Sequence, residues 1–109
     1  VYGDGSQTRD YLYVGDLVEA IWAAVESDAR GAYQLGSGRP TTVNQLLDAI
    51  RTVTRRDLDV VYENFRPGEI RDTWCDIGKA RASLGFDPMT KLEDGLRYTW
   101  EWFSAQRQD

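Results

Sequence analysis

Histidine is absent from these 109 residues, and cysteine occurs once. The first absence excludes Ser-His-Asp and Cys-His triads, histidine general bases and zinc sites that need imidazole. The second excludes an intrachain disulfide and any multi-cysteine metal site, so no metal is expected. Cys75 has no histidine to activate it and reads as a small buried residue rather than a nucleophile. Basic residues are also in the minority, 13 against 18 acidic, for a net charge of -5. Non-specific nucleic-acid binding rests on Lys and Arg neutralising phosphate, so no nucleic-acid partner is expected. No apolar run approaches the roughly 20 residues that span a bilayer, and no signal-peptide pattern is visible. The expectation is therefore no membrane partner and a cytoplasmic location. An initiator Met is lacking too, and the chain opens on an extended-looking Val1-Tyr2-Gly3, which points to a piece of something longer. Finally, there is no complete glycine fingerprint for a cofactor and no evident acid–base pair. The chain reads as the substrate-gripping piece of an enzyme, one domain spanning 1–109, with no catalytic residue of its own.

What is present is a pair of arginine-bearing turns. Gly5-Ser6-Gln7-Thr8-Arg9-Asp10-Tyr11 and Arg66-Pro67-Gly68-Glu69 each set an arginine beside glycine, where backbone and guanidinium can both approach an anion. The planar five-donor fork of arginine matches phosphate geometry and keeps its charge near neutral pH. Two such loops are what a diphosphate requires. Glu69, on the second loop, suits ribose hydroxyls as an acceptor. Its bland alternative is neutralisation of Arg66 or Arg71. Arg9 could equally pair with Asp10 or another surface carboxylate, a contact worth only about 0–1 kcal/mol.

Three helix starts share one signature, a capping residue followed three positions later by Glu or Gln: Asp16/Glu19, Thr42/Gln45 and Thr90/Glu93. Apolar residues then recur at helical spacing: Leu17, Ile21, Ala24 and Val25; Val43, Leu46, Leu47, Ile50 and Val53; Leu92, Leu96, Trp100 and Phe103. A short fourth helix is expected from Gly78 to Leu84, with Asp76 as its cap and Gly85 as its stop. Strand candidates are Tyr11 to Val14, Ala32 to Leu35 and Leu58 to Tyr62. The fold class is α+β, short strands with about four helices. The four tryptophans read mostly as core, and a stacking platform for a base is the sharper but weaker alternative. Ala32 to Tyr62 imitates a dinucleotide-binding unit. The imitation fails because Thr41 stands where the third glycine is needed and Arg39-Pro40 crowds the backbone. Gly36-Ser37-Gly38 is better read as a tight turn.

Read continuously, Tyr2-Gly3-Asp4-Gly5-Ser6-Gln7-Thr8-Arg9-Asp10-Tyr11-Leu12-Tyr13-Val14-Gly15-Asp16 resembles a segment of the extended short-chain dehydrogenase/reductase family. These are NAD-dependent sugar-nucleotide epimerases and dehydratases, with UDP-glucose 4-epimerase the nearest type. Tyr33 to Gly38, Arg66 to Glu69, Asp76 to Ala80 and Leu84 to Pro88 resemble later parts of the same family, in order. The resemblance implies that Arg9 and Arg66 hold the diphosphate of a UDP- or dTDP-linked sugar, that Glu69 contacts its ribose, and that Gln7 assists. It also implies NAD for the full-length family and none bound by this chain. The family's glycine-rich loop and Tyr-x-x-x-Lys pair lie in a preceding Rossmann domain, and no tyrosine here is followed four residues later by lysine. The expected function is thus the nucleotide-sugar-binding C-terminal portion of such an enzyme, inactive alone. The alternative is a stand-alone, non-catalytic module that binds a nucleotide diphosphate or another protein. Faces that would pack on the missing domain lead us to expect a homodimer or higher homo-oligomer.

Overall fold

Four segments are helical in a computed structural model that describes residues 1–106: α1 (Val14–Val25), α2 (Val43–Thr54), α3 (Gly78–Leu84) and α4 (Leu92–Gln106). Two short strands, β1 (Thr8–Arg9) and β2 (Thr41–Thr42), pair antiparallel with Thr8 opposite Thr42 and Arg9 opposite Thr41. The α+β class and the four helices stand as expected. On its other edge β1 takes up the chain near Arg71: the Thr8 amide donates to the Arg71 carbonyl at 3.1 Å, and the Thr73 amide to the Thr8 carbonyl at 3.3 Å. The first arginine loop is thereby laced to the segment that follows the second.

The α2 start is as the sequence predicts. The Gln45 amide donates to Thr42 Oγ1 at 3.0 Å, and the Thr42 amide to Gln45 Oε1 at 2.8 Å, a complete capping box. Thr42→Ala is expected to cost about 1 kcal/mol of stability. A urea midpoint unchanged from wild type would contradict that.

The other two expected caps are used differently. The residue before α1 is Tyr13, with no side-chain cap, and Asp16 lies inside the first turn. Asp16 is buried, and Thr90 donates to it twice, from Oγ1 at 2.9 Å and from its amide at 3.2 Å. Thr90 thus precedes α4 without capping it and ties the approach to α4 onto the start of α1. The residue before α3 is Ile77, with no side-chain cap, so Asp76 is not the cap expected, although its Oδ1 accepts from the Gly78 amide at 2.9 Å; Gly85 ends the helix as expected.

None of the three expected strands forms. Residues 11–13, 32–35 and 58–62 stay irregular, and Val14 is already helical. An extended segment becomes a strand only when a neighbour pairs its amides and carbonyls. The first two have no such neighbour among the described residues; the third meets only the chain start, where the Val1 amine donates to the Val61 carbonyl at 2.7 Å beside an isolated Tyr2–Glu63 bridge, too little for a ladder. Residues 33 and 35 still pack: Tyr33, Leu35, Leu12, Cys75 and Leu84 surround a small core of Ala20, Ile77, Ala80 and Phe86. Cys75 is half-buried there, with its thiol facing the Leu35 carbonyl at 3.9 Å, in line with a structural role.

Helix α1 turns Ala20 to the core and leaves Ile21 and Val25 exposed, in line with a face expected to lack its packing partner. The reading of the tryptophans as core is overturned: Trp22, Trp74 and Trp102 are exposed, leaving only Trp100 half-buried. Helices α2 and α4 pack on each other. No helix among the described residues is long and apolar enough to cross a membrane.

Candidate functional site

The second arginine loop closes as a β-turn. The Glu69 amide donates to the Arg66 carbonyl at 3.3 Å, with Pro67 leading and Gly68 at φ 81°. Proline fixes the first central position of such a turn, and the positive φ of the second favours glycine. Glu69 then reaches Arg9. Their side chains form an ion pair, Arg9 Nη2 to Glu69 Oε1 at 3.4 Å, both partly exposed. Arg9 Nη1 donates to two carbonyls, Thr8 at 2.7 Å and Arg71 at 3.0 Å. Arg9 therefore pairs with a surface carboxylate, Glu69, and not with Asp10, and among the described residues no ion pair joins Glu69 to Arg66 or Arg71.

Asp10 instead accepts three backbone amides: Ser37 at 2.7 Å, Gly38 at 3.1 Å and Cys75 at 3.1 Å. Partial burial raises its carboxyl pKa. The amides of Ser37, Cys75 and Gly38, with the Ser37 hydroxyl, more than offset this and hold it below its ordinary value. The amides of Ser37 and Gly38 thus face the Asp10 carboxylate, which confirms Gly36-Ser37-Gly38 as a structural turn.

Gln7 is buried. Its Nε2 donates to the Tyr2 carbonyl at 2.8 Å, and its Oε1 has no hydrogen-bond partner among the described residues. Gln7 and Glu69 line one cavity of about 220 Å³ together with Phe65, Ile70 and Arg71. Arg71, which the sequence suggested only as a neutraliser of Glu69, is thus a wall of that cavity. It donates to Ser6 Oγ at 2.8 Å, and Ser6 donates to Asp4 at 2.6 Å. The Ser6 side chain and amide hold the Asp4 pKa below its ordinary value. The sequence signal for Arg71 is its place two residues after Glu69 on the same loop.

Arg66 is set apart. It is outside the lining of that cavity, and its guanidinium carbon lies 3.7 Å from the centroid of the Tyr2 ring. The structure thus joins Arg9 to Glu69 and Glu69 to Gln7, and places Arg66 on the neighbouring aromatic ring. Its chemistry is that of binding: cationic forks, one carboxylate acceptor and an unpaired amide oxygen beside a partly apolar hollow.

The structure is thus a small α+β unit with two arginine loops near a partly apolar hollow. Its relatives make the family specific. The GDP-mannose 4,6 dehydratase family model matches residues 1–99. UDP-glucuronate 4-epimerase of Thermodesulfobacterium geofontis is 30% identical over 103 residues, which are 94% of this chain and 32% of that protein. The structure of UDP-glucose 4-epimerase from Thermotoga maritima with UDP-glucose superposes with a TM-score of 0.88 at 40% identity, over 97% of this chain and 34% of that one. UDP-glucuronic acid 4-epimerase from Bacillus cereus, in complex with UDP-glucuronic acid and NAD, gives 0.86 at 26% identity, over 97% and 35%. The chain belongs to the GDP-mannose 4,6-dehydratase family of extended short-chain dehydrogenases/reductases. It spans about a third of the length of the relatives it matches and corresponds to their C-terminal part.

Proposed function

We propose that this chain is the nucleotide-sugar-binding portion of an NAD-dependent sugar-nucleotide epimerase or dehydratase. The observation that carries the reading is the meeting of Arg9 and Glu69, 60 residues apart, beside the cavity that Gln7 lines. Arg9 and Arg66 grip the diphosphate, Glu69 accepts from ribose hydroxyls, and Gln7 supports the loop. The ligand is a UDP- or dTDP-linked sugar. Titrating the isotope-labelled chain with UDP tests this by NMR. Shifts centred on Arg9, Arg66, Glu69 and Gln7, and weaker ones with UMP, are expected. No shift at these residues at millimolar UDP would overturn it and leave a protein-interaction module as the better reading.

NAD belongs, on this reading, to the part of the family's length that the chain does not span. The nearest thing to a dinucleotide loop here, Gly36-Ser37-Gly38, gives its Ser37 and Gly38 amides to Asp10 and does not fit the cofactor's pyrophosphate.

The exposed face of α1 gives a further expectation. Val14, Val18, Ile21, Trp22 and Val25 follow helical spacing and are each 53–68% exposed. Burying apolar surface gains about 25 cal/mol per Å², so such a stripe favours association. Alone in solution the chain is expected to form a homodimer or larger species by sedimentation velocity. Val18→Lys with Trp22→Lys is expected to return a monomer. A monomeric wild-type chain at micromolar concentration would refute this.

A further inference from the structure

Arg66 differs from Arg9 in what its guanidinium touches. Arg9 gives one nitrogen to two backbone carbonyls and the other to Glu69. Arg66 makes no guanidinium hydrogen bond or ion pair among the described residues and rests on the ring of Tyr2, 3.7 Å from its centroid. An aromatic face attracts a cation through its quadrupole. Guanidinium N–H groups project in the plane of the group, so a fork lying on a ring keeps its donor edge free. Stacking and anion binding are then compatible in one geometry.

Tyr2 is itself held where it can serve. Its carbonyl accepts from Gln7 Nε2 at 2.8 Å, and Gln7 is 5% exposed. Tyr2 forms a parallel bridge with Glu63, with the Gly3 amide donating to the Glu63 carbonyl at 2.6 Å and the Glu63 amide to the Val1 carbonyl at 2.7 Å. Gly3 has φ 92°, and a Cβ there would overlap the Phe65 ring. The segment carrying Tyr2 is thus clamped to the base of the loop carrying Arg66. These hydrogen bonds are made by the backbone of residues 1–3, which leaves the Tyr2 ring free for Arg66.

We propose that Tyr2 is a positioning residue that holds the Arg66 guanidinium flat on its ring, edge outward, for the diphosphate of the nucleotide sugar, with Gln7 fixing Tyr2 from behind. This deepens the function proposed above and rests on it. A long flexible arginine loses substantial rotamer freedom when it grips a ligand, and a stacked one has already lost part of it. The opposite device, a ring that parks Arg66 away from the ligand, would make Tyr2 a competitor. The two differ in sign.

The test uses the chain itself with UDP as probe, read on arginine side-chain NMR signals. In free wild type, Arg66 side-chain protons are expected upfield from the ring current. Tyr2→Leu should abolish that shift and Tyr2→Phe keep it. Wild-type protons at random-coil positions would overturn the stack without any variant. UDP is expected to bind Tyr2→Leu about two- to five-fold more weakly, as a partly exposed cation–π contact implies, and Tyr2→Phe like wild type. In an Arg66→Ala background, Tyr2→Leu should have no further effect. Equal or tighter binding by Tyr2→Leu, or a full additional penalty in the double variant, overturns the proposal while leaving the diphosphate reading intact. Wild-type binding that Arg66→Ala does not weaken, or no UDP binding at all, overturns that reading and this proposal with it.

Discussion

Asp10→Ala is expected to destabilise the fold by about 3–5 kcal/mol. One carboxylate accepts three backbone amides, from Ser37, Gly38 and Cys75, and so ties together the end of the first arginine loop, the turn after residue 35 and the approach to α3. A hydrogen bond to a charged group is worth about 1.5–3 kcal/mol. Three sharing one partly exposed acceptor do not add in full. Asp10→Asn keeps one oxygen and turns an N–H toward former donors, so it should fall between wild type and Ala. The pH dependence has a definite sign. The folded carboxyl pKa lies below its ordinary value of 3.8, so the contribution is present above that value and disappears as pH falls through it and through the lower folded value. Asp4, held low by Ser6, titrates in the same direction. The informative quantity is therefore the difference between wild type and Asp10→Ala. Their urea midpoints should lie farthest apart above pH 5 or so and converge in acid. A gap below about 1 kcal/mol at neutral pH would show that the amides find other acceptors.

How much of this was legible depended on the distance between partners. Thr42 and Gln45 form their box because both ends lie within one helical turn. Asp16 and Thr90 carry the same local signal, yet they bond to each other across 74 residues, a pairing that no local window contains. Residues 32–35 have a strand's composition, but composition supplies no neighbouring strand, and here they pack as irregular chain. The α1 pattern marked an apolar face without saying what covers it. Ala20 takes the core side, and the larger Ile21, Trp22 and Val25 remain outside. At the site, the two arginine turns were readable from Arg, Pro and Gly alone. The choice of Arg9 as the partner of Glu69 was not, because the spacing favoured nearer arginines and fold topology decided between them. The order of motifs along the chain carried the family where single motifs could not.

Arg9→Ala is expected to weaken nucleotide-diphosphate binding by about 1.5–3 kcal/mol, or roughly ten- to 150-fold. A chimera joining residues 1–106 to the preceding part of the Thermotoga relative gives the affinity a range wide enough for calorimetry to read a loss of this size. Arg9 holds three parts of the site together. Its Nη1 fixes the Arg71 carbonyl, its Nη2 holds Glu69, and its backbone lies in β1 between β2 and residues 71–73. On the function proposed above, an incoming diphosphate would compete with Glu69 for Nη2, and the released carboxylate would become free to accept from the ribose. Arg9→Lys should therefore fail almost as badly as Ala, because an ammonium cannot bond two carbonyls and an anion in the same plane. Glu69→Gln separates the two roles. It removes the competing charge while retaining an acceptor, so pyrophosphate should bind at least as tightly as to wild type, and UDP no more than about five-fold more weakly. Loss of the Arg9 bonds to the Thr8 and Arg71 carbonyls also lowers stability, and calorimetry well below the unfolding midpoint keeps that effect out of the affinity. Equal affinity in Arg9→Ala and wild type would remove Arg9 from the site and leave its bonds to the Thr8 and Arg71 carbonyls as its whole function.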